Sequence, residues 1–156
     1  MSVAENPGQR LMNLYLTAAV VGVLAVIVHL TVPLTSSFYP LLGYILDILI
    51  GIIVVLIALR AKRTMDRAPL RASLAGVIYS LISGIGNLLF PPSAAAMRRA
   101  MQQAGSSLSQ SQLNAAFSFG ARLIELVVAV IFGWLLALLI GWIASLFVQK
   151  EDGQSV

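Results

Sequence analysis

LIELVVAVIFGWLLALLIGWIASLFV, residues 123–148, carries one charged side chain, Glu125, and is otherwise almost wholly apolar. Its apolar residues run on without alternating, so it does not read as a half-buried strand. Roughly 20 such residues span the hydrocarbon of a bilayer as a helix. In lipid no water pairs with backbone N–H and C=O groups, so a helix or a closed barrel must satisfy them internally. The continuous pattern selects the helix.

Working back along the chain, three more stretches meet the same test. They run from Leu11 to Leu34, from Leu41 to Leu59 and from Ala72 to Phe90, and the full fourth stretch runs from Ala121 to Val148. The expected fold is therefore an all-α integral membrane protein. It is one domain over residues 1–156, with four transmembrane helices in an antiparallel bundle. Composition agrees: 59% of residues are hydrophobic, 10% are charged and the mean hydropathy is +0.93. Soluble domains carry about 25% charged residues. This chain has too little charge to face water all round, so lipid must cover much of it. The first stretch is longer than the apolar core of a signal peptide, about 7–15 residues. Thr35 and Ser37 make a poor cleavage site, so the first span is expected to be retained.

The net charge of +4 does not point to nucleic acid. Arg60, Lys62, Arg63, Arg67 and Arg71 fall together just after the second span, where basic residues act as a topology signal or contact anionic lipid. With this basic loop in the cytoplasm both termini are cytoplasmic too. Arg10 and Lys150 then join the inner side, while Arg98, Arg99 and Arg122 lie outside. No cysteine is present, which excludes disulfides and thiol-ligated metals.

The outer connection, residues 91–120, has its own pattern. Pro91-Pro92-Ser93 reads as a helix start with Ser93 as N-cap, and Gly105 as the stop. Met97, Met101 and Ala104 share one face of this first piece. Ser109 and Gln112 have capping-box spacing, and Leu113, Ala116 and Phe117 give the second piece an apolar face. Two short amphipathic helices are expected on the outer surface, as a lid over the bundle or as a grip for a partner.

Within the spans, small residues recur every four positions, on one helix face. The third carries Ala72, Gly76, Ser80 and Gly84; the fourth carries Ala129, Gly133, Ala137, Gly141 and Ser145. Lipid offers no hydrophobic drive for helix association, so small residues that let backbones approach closely are its usual means. The stripes serve packing within one chain or a homodimer seam.

Four polar residues are candidates for ligand or ion binding, one per span: His29, Asp47, Asn87 and Glu125. Ionisable groups at such positions are costly and mark functional hypotheses. All four are expected in the outer half at similar depth, with His29 and Asp47 within reach of each other and Gly43 and Gly51 giving Asp47 a close interior contact. The rival reading is structural: Asp47 bonds Tyr44 or a backbone carbonyl, and His29 and Glu125 reach interfacial water. No spacing of metal-ligand type, nucleotide loop or redox pair accompanies them, so neither metal nor cofactor is expected.

The span LAGVIYSLISGIGNLLF, the stretch AMRRAMQQAGSSLSQSQL and the Gly-containing last span with its short charged tail follow one another from Arg71 to Asp152. In this order and texture the chain resembles a family of small four-span bacterial membrane proteins known only as a domain of unknown function. The resemblance implies a small bacterial inner-membrane protein and no activity. The expected function is a non-enzymatic accessory or scaffold component of a bacterial plasma membrane, partnered by lipid and by a second copy or another membrane protein. The alternative is an oligomeric small transporter or channel built on a polar layer at Asp47 and His29. The topology is open to a direct test. A reporter active only in the cytoplasm should work when fused after Val156 and fail when inserted at Gly105, and the reverse pattern would invert the orientation.

Overall fold

The structure, a computed structural model, describes residues 7–64, 67–103, 105, 109, 111–112, 115 and 118–147. Five helices are delimited there: α1 (Pro7–Thr31), α2 (Phe38–Thr64), α3 (Ala68–Leu89), α4 (Ala94–Gln103) and α5 (Phe119–Leu146). Among the described residues no strand occurs. Four of the helices, all but α4, are long and apolar enough to cross a membrane. Large apolar side chains lie bare along them, such as Ile48, Phe132 and Leu136. That is the surface of a protein solvated by lipid rather than by water.

Local chemistry sets the helix ends. Proline costs least in the first turn, where its missing N–H would have had no partner. Pro7, Pro40 and Pro69 all stand there. Thr31 ends α1 three residues before the expected Leu34, because Pro33 follows and disfavours helical backbone before it. The turn then closes through Ser36 N–H to Pro33 O at 2.9 Å and Tyr39 N–H to Ser36 O at 3.1 Å. Ser93 Oγ caps α4 by accepting from Ala96 N–H at 3.1 Å, as its position after two prolines predicts. Gly105, at φ +72°, turns the chain beyond α4, a left-handed conformation that glycine adopts without Cβ strain. Ser118 caps α5 through Ala121 N–H at 3.2 Å.

The expected basic loop, Arg60 to Arg71, is mostly helix. Arg60, Lys62 and Arg63 lie within α2, and Arg71 lies within α3. Cations at the C-terminal end of α2 suit the negative end of its dipole, so helix and charge cluster coexist. Of the connector only Arg67 is described. The second expected outer helix falls mainly outside the described residues. Its capping-box bonds are in place: Ser109 N–H donates to Gln112 Oε1 at 2.9 Å, and Gln112 N–H donates to Ser109 Oγ at 3.3 Å.

Helices α2 and α3 each touch the other three long helices, and α1 and α5 flank this central pair. The most extensive contact is α3 against α5. It is made by the two small-residue stripes meeting each other. A Cβ placed on Gly76 would strike the Gly133 carbonyl oxygen and lie 2.6 Å from Ala137 Cβ. One on Gly141 would lie 2.7 Å from Ala72 Cβ, and one on Gly84 would strike Leu126. Ser80 sits against Gly133. The stripe of α5 thus faces α3 of the same chain. On the other side of α3, Gly86 abuts Val26, and a Cβ on Gly22 would lie 3.0 Å from Ile82 Cβ. The buried core is accordingly small: Ala18, Ala58, Ala72 and Ala75 are fully enclosed, with Ile57 and Val54 the largest enclosed side chains.

Gly43 and Gly51 depart from expectation. Nothing lies within 4 Å of a Cβ at either position, so they make no close contact and α2 turns this face to open space. The contrast between glycines gives a prediction. Gly76→Ala and Gly141→Leu should lower the melting temperature in detergent, since overpacking typically costs about 1–3 kcal/mol. Gly43→Ala and Gly51→Ala should leave it unchanged or raise it, because alanine gains up to about 1 kcal/mol of helix propensity in open space.

Candidate functional site: a lateral groove between α2, α3 and α5

Hydroxyl groups inside the spans are mostly absorbed by their own helices. Thr31 Oγ1 donates to Ile27 O at 2.7 Å, Ser83 Oγ to Tyr79 O at 2.9 Å and Ser145 Oγ to Trp142 O at 2.7 Å. Such bonds satisfy a polar atom where lipid offers nothing. The polar groups that reach between helices are fewer. The Tyr15 hydroxyl on α1 donates to Arg71 O on α3 at 2.9 Å, and the others form three separate places.

The first is a junction at the end of α1. His29 Nε2 lies 3.0 Å from Phe90 O, and His29 Nδ1 lies 3.1 Å from the Tyr39 hydroxyl. A carbonyl oxygen only accepts, so Nε2 carries a proton and donates; in the neutral ring Nδ1 then accepts from Tyr39. His29 ties α1 to the start of α2 and to the residue that ends α3. Both ring nitrogens are occupied by this structural work.

The second place lies between α3 and α5. Asn87, Arg122 and Glu125 line a cavity of about 40 Å³ with Gly84, Leu88, Leu126 and Ala129. Arg122 Nη1 donates to Leu88 O at 3.2 Å, near the C-terminal end of α3, where carbonyl groups lack helical partners.

The third is the largest. A groove of about 510 Å³ lies between α2, α3 and α5. Its α2 wall is Asp47, Ile50, Gly51 and Val54; α3 supplies Gly76, Tyr79 and Ser80; α5 supplies Phe132, Gly133, Leu136, Leu139 and their neighbours. The open face left by Gly43 and Gly51 is explained here, because Gly51 faces this groove. Asp47 is exposed, and its Oδ1 accepts a hydrogen bond from the Tyr79 hydroxyl at 3.1 Å. The remaining lining is apolar, with Ser80 the other hydroxyl.

The four polar residues expected in one layer are therefore divided. Asn87 and Glu125 line one cavity with Arg122; His29 and Asp47 share none. His29 is bonded to Tyr39, and Asp47 stands eight residues further along α2, about 12 Å away at 1.5 Å per residue. Depth also separates them. His29 and Asn87 lie two residues from the ends of their helices, Glu125 six residues into α5 and Asp47 nine residues into α2. The 25-residue span Phe38–Lys62 is centred on Ile50, three residues beyond Asp47. Among the described residues no three His, Asp or Glu side chains gather.

Sequence reasoning missed Tyr79, the partner of Asp47, and Tyr39, the partner of His29. A signal for Tyr79 existed: the span Ala68–Leu89 is centred between Ile78 and Tyr79, so its hydroxyl lies at nearly the depth of the Asp47 carboxylate. No family model, curated protein or solved structure matches the chain. The site therefore stands on its own geometry, which crosslinking can check. In this Cys-free chain the pair Gly22→Cys and Ile82→Cys should oxidise readily in membranes. The pair His29→Cys and Asp47→Cys should not, and a crosslink there would restore the single polar layer.

Proposed function

We propose that this chain is a non-enzymatic accessory or scaffold protein of a bacterial plasma membrane that holds a transmembrane helix of another protein in its lateral groove. In this reading it is an antiparallel four-helix bundle with both termini cytoplasmic and two short amphipathic helices on the outer surface. The observation that carries the reading is the groove itself. Its lining runs from Asp47 to Val54 on α2, from Gly76 to Ser80 on α3 and from Ala129 to Ile140 on α5, and is almost wholly apolar. Helix α5 leaves most of its surface bare while packing one stripe on α3, which makes it the wall that a further helix would complete.

Other features support parts of this reading. Contacts ascend α3 as they descend α5, from Ala72 with Gly141 to Gly84 with Leu126, which favours the antiparallel arrangement. In α4 the side chains of Met97 and Met101 are half-buried while Arg98, Arg99, Gln102 and Gln103 are exposed, as an amphipathic surface helix requires. The Ser109–Gln112 capping box is a start for the second such helix. The concentration of basic residues where α2 ends and α3 begins favours cytoplasmic termini. The resemblance of Arg71–Asp152 to small four-span bacterial proteins points to the bacterial inner membrane.

The second reading, an oligomeric transporter or channel, draws on one observation: Asp47 meets the groove near the middle of its span. His29, with both nitrogens engaged elsewhere, does not join it there. Two measurements separate the readings. A photo-crosslinking residue at Leu136, on the groove wall, should yield an adduct of one defined mass with a different polypeptide in native membranes, while one at Ile124 yields lipid adducts only. An adduct at Leu136 with a second copy, together with an oligomeric mass in mild detergent, would favour the transporter. Lipid adducts alone at Leu136 would overturn the helix-holding role.

A further inference from the structure

The groove has one chemical peculiarity, a carboxylate at mid-membrane depth that is not enclosed. Asp47, Tyr79 and Gly133 all stand at or within three residues of the centres of their spans, the last between Phe132 and Gly133 for Phe119–Leu146. Near the bilayer centre a charged side chain is costly unless another group meets it. Tyr79 supplies a single hydrogen bond, to Oδ1, and no charge. The rest of the lining is apolar apart from Ser80.

We propose that the helix held in this groove carries a basic residue, Lys or Arg, near its own midpoint, and that Asp47 pairs with it. This inference rests on the helix-holding role proposed above and adds the chemistry that selects the partner. Charge complementarity decides the occupant. A lipid acyl chain has no charge to offer, and headgroup amines lie about 15 Å from the midplane of a core roughly 30 Å thick. A second copy of this chain cannot supply the cation either. The Lys and Arg residues inside its spans sit toward their ends: Arg10, Arg60 and Lys62, Arg71, and Arg122. Two copies joined groove to groove would instead bring two Asp47 carboxylates together. A different chain with a buried cation neutralises Asp47, and its apolar flanks cover Phe132, Leu136 and Leu139. In that arrangement Tyr79 is a positioning residue, holding one carboxylate oxygen while the other faces the cation.

The test uses a synthetic Leu/Ala transmembrane peptide of about 20 residues with one central Arg, and the same peptide with Leu in that place. The full-length protein is reconstituted in phosphatidylcholine vesicles with a donor dye attached through Gln103→Cys, and each peptide carries an acceptor. Energy transfer should report about tenfold tighter association of the Arg peptide with the wild-type protein, the scale of an interhelical polar contact in lipid. Asp47→Asn keeps an oxygen for the Tyr79 hydroxyl, so its melting temperature should stay near wild type while the tenfold preference disappears. Leu136→Trp fills the groove and should weaken both peptides. Equal binding of both peptides, still blocked by Leu136→Trp, would overturn the cation and leave the helix-holding role intact. Binding of neither peptide, or binding indifferent to Leu136→Trp, would overturn both. A preference for Arg that survives Asp47→Asn would remove Asp47 from the recognition.

Discussion

The contact on which the rest of the structure depends is that of Gly76 on α3 against Gly133 on α5. In water two apolar helices associate because their surfaces leave solvent. In lipid that drive is absent, since the tails are as apolar as leucine. What remains is dispersion, which falls steeply with distance, so a helix pair gains most where nothing separates the backbones. The absence of side chains at 76 and 133, with alanine and serine at 137 and 80, permits that approach. Both residues lie near the centres of their spans, so the closest point of the seam falls near mid-membrane depth.

The groove follows from the same contact. α5 commits one narrow stripe to α3 and leaves Phe132, Leu136 and Leu139 projecting beside it. α2 buries Ile53, Val54 and Ile57 in the core but presents Gly43 and Gly51 to open space. Between a helix that packs by one stripe and a helix with glycines on its outer face, a trough remains along α3. Asp47 opens into this trough one turn before Gly51, and Tyr79 reaches it from the floor. Several polar groups elsewhere in the spans are closed: the Thr31, Ser83 and Ser145 hydroxyls bond to their own helices, and His29 spends both nitrogens on Tyr39 and Phe90. Asp47 joins a hydrogen bond to open space within three residues of the centre of its span.

Much of this was legible in the residues. The four spans came from length and continuity of apolar sequence, with errors of a few residues at the ends. Those errors have local causes: Pro33 stopped α1 early, and the basic cluster, taken for a loop, extended α2 because cations are tolerated at a helix C-terminus. The stripes were legible from four-residue spacing. The same spacing misled for Gly43 and Gly51, since a glycine spaced for contact makes none unless a neighbouring helix presents a surface to it. The candidate site was legible residue by residue and not as a constellation. His29, Asp47, Asn87 and Glu125 were each singled out by the cost of polarity in lipid, yet depth alone, read more closely from the span centres, would have separated Asp47 from the other three.

By itself the sequence determined that the chain is helical, that four of its helices are long and apolar enough to cross a bilayer, and which residues are costly there. These are one-dimensional properties: hydrocarbon thickness sets a length, unpaired backbone groups set the secondary structure, and side-chain polarity sets the cost of each position. Only the tertiary structure decided that the stripes of α3 and α5 meet each other, that His29 turns to Tyr39 and Phe90, and that Asp47 shares a groove with Tyr79. Rotation of each helix about its own axis and the choice of neighbours are not written in any single span. They emerge from the joint fit of four surfaces, where a close contact at Gly76 and Gly133 leaves a gap beside it at Asp47.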